Sequence, residues 1–274
     1  MTRVCVLGGN GMLGRSLIPH LVSLGYKVFC VTRKKRHISD IIVDYSDVRS
    51  LDECLNRLDP NFIINLAALT NVDQCENEPN NSYLANVMVV ERVCGWIKKN
   101  KECHLIQIST DQVYDGVGPH VEENIKLINY YGFSKYCGEV VASLVKGTIV
   151  RTNFFGKSLS FERLSFSDWA FSRLLSKEDT VVFDDLFFSP LSIKSLMEFI
   201  EIILLNPVSG TFNVGSRNGL SKADFVFTFA KLLGLETDHV SVSSRKDMVG
   251  LTAKRPADMR MDCSKFEGAY GINK

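Results

Sequence analysis

Tyr131 and Lys135 are the two side chains of this sequence whose spacing most directly suggests proton chemistry. Residues four apart lie on one face of a helix. A free phenol titrates near pH ~10, but a neighbouring ammonium favours its ionised form and makes the tyrosine a usable proton donor near neutral pH. The pair therefore predicts a general acid, although this spacing alone is common by chance.

A hydroxyl group elsewhere in the sequence strengthens the prediction made from Tyr131 and Lys135. Ser109 and Thr110 directly follow the apolar run 105–108, which is typical of a buried central strand. At the carboxyl end of such a strand, a hydroxyl is placed to donate a hydrogen bond to a bound carbonyl oxygen. Thr110, Tyr131 and Lys135 are therefore the candidate catalytic residues for chemistry at a carbonyl group.

Three glycines near the N-terminus predict a dinucleotide site. Gly8, Gly11 and Gly14 follow the first apolar run and open a helix-like segment. Such a turn lets the backbone approach a pyrophosphate, and the start of the helix offers free N–H groups to the anion. The spacing is G-x-x-G-x-x-G, and a glycine-rich turn without a ligand is the alternative. The strand–turn–helix context favours the cofactor site.

The segment after the second apolar run favours NADPH over NADH. An acid at this point holds the ribose 2′-hydroxyl of NAD, whereas a basic residue accepts the 2′-phosphate of NADP. Here Arg33 begins a run of four cations, for which a solvated basic turn is the alternative. Asp44 ends a further short strand-like run after this basic segment, and it is either a contact to the adenine or a turn residue.

Alternating strands and helices must position these residues. The apolar runs interpreted as strands are 4–7, 28–31, 62–66, 105–108 and 148–150. The helix-like segments between them are 13–24, which Pro19 should kink or shorten, 51–58, 81–98 and 134–145. This alternation predicts an α/β fold with a doubly wound parallel Rossmann sheet.

The pattern changes after residue 151. We expect an NADP-binding Rossmann domain over 1–150 and a smaller C-terminal α/β substrate lobe over 151–274, with some of its strands returning to the main sheet. Thr180–Phe183 and 211–214 are predicted strands, and Ile193–Leu205 is a predicted helix. Ser221 and Asp224 form a capping box for a helix over 225–233, which Gly234 ends.

Composition excludes several classes of protein. A formal net charge of +1 provides no basic field for nucleic acid. The eight cysteines include no C-x-x-C pair, which favours reduced core thiols, and the five scattered histidines predict no metal site. The longest apolar stretch is too short to span a bilayer. We therefore expect a cytoplasmic protein without a membrane or nucleic-acid partner.

The order of these motifs resembles that of the extended short-chain dehydrogenases. Within them, the sequence is most similar to the dTDP-4-dehydrorhamnose reductases, over nearly the whole chain. The stretches that carry the closer resemblance are 67–73, 109–116, 129–132, 151–152, 189–190 and 255–256. The resemblance implies NADPH-dependent reduction of a nucleotide-linked 4-keto-6-deoxy sugar, in the biosynthesis of deoxysugars and surface polysaccharides.

The resemblance also implies roles for single residues. Thr110 would polarise the carbonyl, Tyr131 would donate the proton, and Lys135 would activate Tyr131 and hold the cofactor ribose. The cofactor contacts predicted from the turn, the basic segment and the resemblance are Gly8, Gly11, Met12, Leu13, Arg33, Asp44, Leu66, Ala67, Ala68, Tyr131 and Lys135. The predicted substrate contacts are Val72, Thr110, Asn153, Phe154 and Arg255. For Arg255, a surface ion pair is the alternative to a pyrophosphate contact.

Departures from the family pattern lie around the substrate. Phe154 replaces a usual tryptophan, Leu127 a usual proline and Gln112 a usual tyrosine, and the segment 157–169 also differs. Related 4,6-dehydratases carry a carboxylate where Gln112 stands, so water elimination is disfavoured. The alternatives left open are a non-catalytic NADP-binding regulatory subunit and a sugar-nucleotide epimerase. A homodimer is also left open.

Overall fold

A computed structural model describes residues 1–100, 102–160, 164–247 and 250–272, and every statement below concerns these ranges. The strands, in chain order, are β1 (Arg3–Leu7), β2 (Lys27–Thr32), β3 (Ile41–Ile42), β4 (Phe62–Asn65), β5 (His104–Thr110), β6 (Gly147–Thr152), β7 (Phe154–Phe155), β8 (Thr180–Phe183), β9 (Phe187–Phe188), β10 (Leu191–Ser192), β11 (Gly210–Val214), β12 (Leu220–Ser221) and β13 (Val240–Ser243). The helices are α1 (Met12–Ser23), α2 (Val48–Leu58), α3 (Val72–Asn77), α4 (Pro79–Tyr83), α5 (Val89–Lys99), α6 (Tyr130–Ala142), α7 (Phe166–Ser176), α8 (Ile193–Leu205), α9 (Lys222–Leu233) and α10 (Ser264–Tyr270).

The main sheet has seven parallel strands in the order β11-β6-β5-β4-β1-β2-β3. The strand order reverses between β1 and β4, and open sheets of this kind bind ligands at the carboxyl edge of such a switch point. The predicted Rossmann fold is therefore confirmed. The strands read as continuous apolar runs because helices cover both faces.

Two separate apolar layers enclose this sheet. On one face, α1 and α8 bury Leu17 and Ile200 against β1 and β5. On the other face, α2 and α5 bury Leu55 and Trp96. All eight cysteines are free thiols, and seven of them are buried, as expected for reduced residues that pack as small apolar groups.

The chain after β6 contributes to the main sheet and to a separate cluster. Strand β11 pairs with β6 at the sheet edge, and α8 covers that edge. The remaining segments form three two-stranded pairings and an aromatic core around Phe188 and Phe225. Helix α9 begins with the predicted capping box, and Gly234 ends it in the left-handed conformation.

Two local expectations about helix bounds were wrong. The helix predicted over 81–98 is interrupted by a π-helical turn at Leu84–Met88, where buried Asn86 hydrogen-bonds to the backbone of Leu69. The helix predicted over 134–145 begins at Tyr130 instead, because Asn129 caps it. Pro19 does not shorten α1, which runs from Met12 to Ser23. In the described residues, no helix combines the length and apolar character needed to cross a membrane.

Candidate active site

Helix α6 carries Tyr131 in its first turn. The side chain of Asn129 accepts a hydrogen bond from the Gly132 amide at 2.8 Å and so fixes the start of the helix. A Cβ atom on Gly132 would lie 2.3 Å from the carbonyl oxygen of Gln112, so only glycine allows this close approach. The glycine thus lets α6 pack against the turn that follows β5.

Lys135 lies one helical turn further along α6 and is 5% exposed. Its Nζ donates a hydrogen bond to the carbonyl oxygen of Ile108 at 2.7 Å, which ties the ammonium to β5. Burial lowers the pKa of Lys135 to about 8, and the nearby carboxylate of Glu139 opposes this shift. Tyr131, 7% exposed, shares this buried helix face. The predicted pairing on one helix face is therefore present.

Glu139 continues the same helix face and was not predicted from the sequence. Its carboxylate accepts from Arg151 at 2.6 Å and 3.0 Å and from the hydroxyl of Ser109. Removing one partner of a buried pair of this kind leaves an uncompensated charge. The pair therefore holds α6 in register with β5 and β6. In the sequence, the position of Glu139 four residues after Lys135 could have indicated that both lie on the same helix face.

Thr110 is the last residue of β5. Its Oγ1 accepts from the Gln112 amide at 3.1 Å and donates to Oδ1 of Asp111 at 3.2 Å. Asp111 is fully buried, and its Oδ2 accepts from the side-chain amide of Asn153 at 2.8 Å. Burial raises the pKa of Asp111 to about 6, although these hydrogen bonds oppose the shift. The structure thus brings Thr110 and Asn153 together through a carboxylate.

The glycine turn lies between β1 and α1, at the switch point. Gly8 has φ +74°, and a Cβ there would lie 2.7 Å from the Ala67 nitrogen, so the turn and the residues after β4 are in close contact. Gly11 precedes α1 without a side-chain capping bond. The first N–H groups of α1, from Met12 and Leu13, therefore have no capping side chain, which suits a pyrophosphate. The turn fits the predicted dinucleotide.

The basic segment after β2 is held by an acid that the sequence did not single out. Asp40 accepts hydrogen bonds from the backbone of Arg36 and His37 and from the side chain of Asn10. Although partial burial alone would raise the pKa of Asp40, these bonds lower it to about 2. Arg33 remains exposed, where a phosphate could reach it.

Asp44 makes the local contacts of a turn residue, and its contact to the adenine stays a prediction. Its carboxylate is exposed and accepts from the amide and the hydroxyl of Ser46, at 2.8 Å and 2.7 Å. These two bonds hold the pKa of Asp44 below its usual value. It lies two residues beyond β3.

Arg255 forms an ion pair, the alternative to a free phosphate contact. Its Nη2 donates to Asp73 at 2.6 Å, and Asp73 also accepts from the amides of Thr252 and Ala253. Asp73 follows Val72 at the start of α3, so the pair brings two predicted substrate residues to one place. Phe154 lies in β7, paired with Leu191.

A cavity of about 750 Å³ opens beside this ion pair. Sequence reasoning missed it because its cations come from distant segments of the chain. Its charged lining residues are Asp115, Lys126, Arg245, Lys246, Lys254 and Arg255. Lys126 is paired with Asp115 at 2.8 Å, as Arg255 is with Asp73. With five cations and one acid, the cavity suits an anionic group.

The strand order, the glycine turn and the Tyr131–Lys135 helix define an extended short-chain dehydrogenase. The family model described as the RmlD substrate binding domain matches residues 1–274, and the chain belongs to this family.

Similar proteins span almost the whole chain. It is 30% identical over 264 residues to the spore coat polysaccharide biosynthesis protein SpsK of Bacillus subtilis (strain 168), covering 94% of this chain and 88% of SpsK. It is 26% identical over 289 residues to methionine adenosyltransferase 2 subunit beta of Rattus norvegicus, covering 97% and 81%. The crystal structure of dTDP-4-dehydrorhamnose reductase from Bacillus anthracis str. Ames in complex with NADP matches with a TM-score of 0.87 at 25% identity, covering 98% and 93%.

Proposed function

We propose that this chain is an NADPH-dependent reductase of a 4-keto-6-deoxy sugar carried on a nucleoside diphosphate, working in polysaccharide or glycan biosynthesis. The observation that carries the proposal is the buried Tyr131–Lys135 pair on α6, whose ammonium is hydrogen-bonded to β5, the strand that ends at Thr110. The family and its members support it, since one is a polysaccharide biosynthesis protein and another is a sugar-nucleotide reductase in complex with NADP.

The cofactor would lie along the carboxyl edge of β1 and β4. NADPH, when bound, supplies the hydride. Gly8, Gly11, Met12 and Leu13 would surround its pyrophosphate, and Arg33 would take the 2′-phosphate. The residues that follow β4 would line the adenosine side: Leu66, Ala67 and Ala68. Tyr131 and Lys135 would complete the site at the ribose.

The chain's own groups would handle the proton and the developing charge. Tyr131 donates its hydroxyl proton to the keto oxygen, and the ammonium of Lys135 makes this loss easier by stabilising the phenolate. Thr110 donates a hydrogen bond to the same oxygen as it becomes negative. Because that hydroxyl now donates to Asp111 at 3.2 Å, it must turn from the carboxylate to the substrate.

The sugar nucleotide would lie between the Rossmann part, 1–150, and the lobe, 151–274, which we propose as the functional division. Val72, Asn153 and Phe154 would contact the sugar. The basic cavity next to Arg255 would take the diphosphate, since guanidinium and ammonium groups suit phosphate oxygens. Gln112 cannot serve as an acid or a base, so we propose no elimination of water.

Loss of the NADPH absorbance in the presence of 4-keto-6-deoxy sugar nucleotides tests this function. The expected result is turnover that depends on both the sugar and the enzyme, with an alcohol as product. Sugar nucleotides that retain a C4 hydroxyl should give no dehydrated ketone. Absence of turnover with every 4-keto sugar nucleotide would reject the proposal.

A second candidate is a non-catalytic NADP-binding subunit, because one relative covering 97% of this chain is named as a subunit of a transferase. The complete set of Thr110, Tyr131 and Lys135 speaks against it, since a binding subunit has no chemical need for a proton donor. The same assay separates the two, because a subunit would bind NADPH without consuming it.

A further inference from the structure

Helix α6 presents an apolar stripe to solvent, on the side away from the catalytic pair. Phe133 and Val140 are 46% and 51% exposed, and Leu144, just after the helix, is 62% exposed. Together with half-buried Cys137, these residues follow one another at intervals of four, three and four. Apolar residues at this spacing form the seam along which one helix packs against another. The stripe therefore has the pattern of a helix-packing surface but lies exposed in the single chain.

A groove of about 500 Å³ lies beside this stripe, between α6 and the helical run 79–99. That run is continuous helical backbone, made of α4, the π-helical turn and α5. Its contribution to the groove includes Tyr83 and Val87, and most of the lining is apolar. Glu91 is the one charged residue of the lining within the described structure. Contiguous exposed apolar surface of this kind marks an interaction site.

The two ends of the helical run 79–99 carry opposite charges. Glu78 directly precedes its first turn, Lys98 lies in its last turn, and both side chains are exposed. If a second copy of the run lies antiparallel on the first, the acidic end of each copy meets the basic end of the other. The centre of that arrangement is residue 88, halfway between the two charges. Charges placed in this way fix the orientation of an interface.

The apolar stripe has its centre at the same level of the fold. The point halfway between Phe133 and Leu144 lies next to Gly138. A Cβ atom on Gly138 would be 2.5 Å from the carbonyl oxygen of Asn86 and 3.5 Å from Cγ2 of Val90, so this glycine lies level with the middle of the helical run. The helices α5 and α6 also run in the same direction, because each connects neighbouring parallel strands. One two-fold axis therefore suits both the charged ends and the apolar stripe.

We propose that a second copy of this chain docks on this face, with the helices of the two copies antiparallel about a two-fold axis near Gly138. Phe133 of one copy then meets Leu144 of the other, and Cys137 meets Val140. Such a contact is isologous, so each favourable pair occurs twice. The inference does not depend on the proposed function.

The size of the face agrees with a second copy as the occupant. Two adjacent helices, the longer of them the run 79–99, cover about 30 Å by about 20 Å. This is on the order of 600 Å² per copy, near the roughly 800 Å² per partner that a standard interface buries. A membrane surface fits less well, because amphipathic helices that bind membranes carry cations beside their apolar face, and the exposed side of α6 carries none.

Analytical ultracentrifugation over a series of protein concentrations tests the dimer. The wild type should form a species of twice the 30.7 kDa of one chain. Val140→Glu places a carboxylate in the stripe of both copies and should weaken the dimer at least about a hundredfold, because each charge would be buried without a partner. Val22→Glu is the matched control, since Val22 is 55% exposed on α1, at the other face of the sheet. It should leave the dimer unchanged.

A charge exchange tests the antiparallel arrangement. Lys98→Glu and Glu78→Lys each place like charges opposite one another and should weaken the dimer about three- to thirtyfold at low salt. The double variant should recover the wild-type affinity. Because both side chains are exposed, this pair also decides the question if Val140→Glu fails to fold.

A wild type that stays monomeric at every concentration would overturn the inference. A dimer that Val140→Glu leaves intact, or that Val22→Glu dissociates equally, would also overturn it, because the contact would then not involve the stripe. If the charge exchange did not restore the dimer, the antiparallel arrangement would be wrong.

Discussion

The end of β5 and the C-terminal lobe differ in whether their polar side chains are hydrogen-bonded to other groups of the protein. At the end of β5, Lys135 donates to Ile108, which orients its ammonium before a ligand binds, and Thr110 donates to Asp111 until it turns to the substrate. In the lobe, Lys222 rests on phenyl rings and has no acceptor among the described residues. Preoriented dipoles favour a reaction step, whereas polar groups left for the ligand favour discrimination between substrates.

The difference indicates that the two parts of the protein have different functions in the reaction. The Rossmann part would supply chemistry that tolerates many carbonyl substrates, and the lobe would choose among sugars. Substitutions at the end of β5 should therefore lower turnover for every substrate. Substitutions in the lobe should change the ratio between substrates.

Tyr131→Phe should have the largest effect. The ring still packs on α6, but no proton can reach the keto oxygen, so turnover should fall about 10²–10⁴-fold. NADPH affinity should remain within a few-fold, because the ribose contact of Lys135 persists. Single-turnover absorbance measures the rate of reduction, and fluorescence titration measures the affinity for NADPH.

The neighbouring Tyr130 offers a matched control, since Tyr130→Phe removes the same atom one residue away and should keep full turnover. A Tyr131→Phe protein with near-normal rate would place the proton donor elsewhere. The fall in turnover should be the same for all sugar substrates. A fall confined to one sugar would contradict the proposed difference between the end of β5 and the lobe.

Thr110→Val should have the next largest effect. It removes one hydrogen bond to the developing oxyanion, which by analogy with other donors costs about 10²–10³-fold in turnover. Thr110→Ser keeps the hydroxyl and should restore most of the rate. If both variants lost turnover equally, the loss would come from altered packing and not from the hydroxyl, because Thr110→Ser keeps both the hydroxyl and the bond it accepts from the Gln112 amide.

Local patterns predicted most of the main sheet. The apolar runs of β1, β2, β4, β5 and β6 and the capping box of α9 depend on residues close in the sequence, and each was found near its predicted position. Tyr131 and Lys135 were also recognisable because one helical turn separates them. Where a single segment decides the structure, the sequence pattern suffices.

Long-range contacts account for what was missed. The π-helical turn depends on Asn86 reaching Ser134 on α6 and the backbone of Leu69. Arg255 meets Asp73 across 182 positions of sequence. Lys222 looks like an ordinary lysine at a helix start until Phe166 and Phe188 surround it. No pattern in a single segment contains this information.

Arg33→Asp should weaken NADPH binding about ten- to a hundredfold, the size of a charged phosphate contact. NADH lacks the 2′-phosphate, so its affinity should change little. Lys35→Asp introduces the same charge change two residues away at another exposed position and should have a smaller effect. Titration with both cofactors checks this. Equal losses of NADPH affinity in the two variants would indicate a general electrostatic effect of the basic segment rather than a contact between Arg33 and the 2′-phosphate.

The smallest expected effect concerns stability at the other end of β5. His104 is 2% exposed, its Nε2 is 2.9 Å from the Thr148 hydroxyl, and its Nδ1 has no hydrogen-bond partner among the described residues. Burial lowers the pKa of His104 from 6.5 to about 4. As the pH falls below about 6.5, the unfolded chain takes up a proton that the folded chain refuses. Stability should therefore decrease from pH 6.5 towards pH 4, by about 1–2 kcal/mol between pH 7 and pH 5. Urea unfolding at these two pH values measures the decrease in the free energy of unfolding. His104→Asn should remove the part of this decrease that the buried imidazole causes. His37→Asn, at an exposed histidine, should leave the decrease unchanged. An unchanged pH dependence in His104→Asn would show that the buried imidazole is not its source.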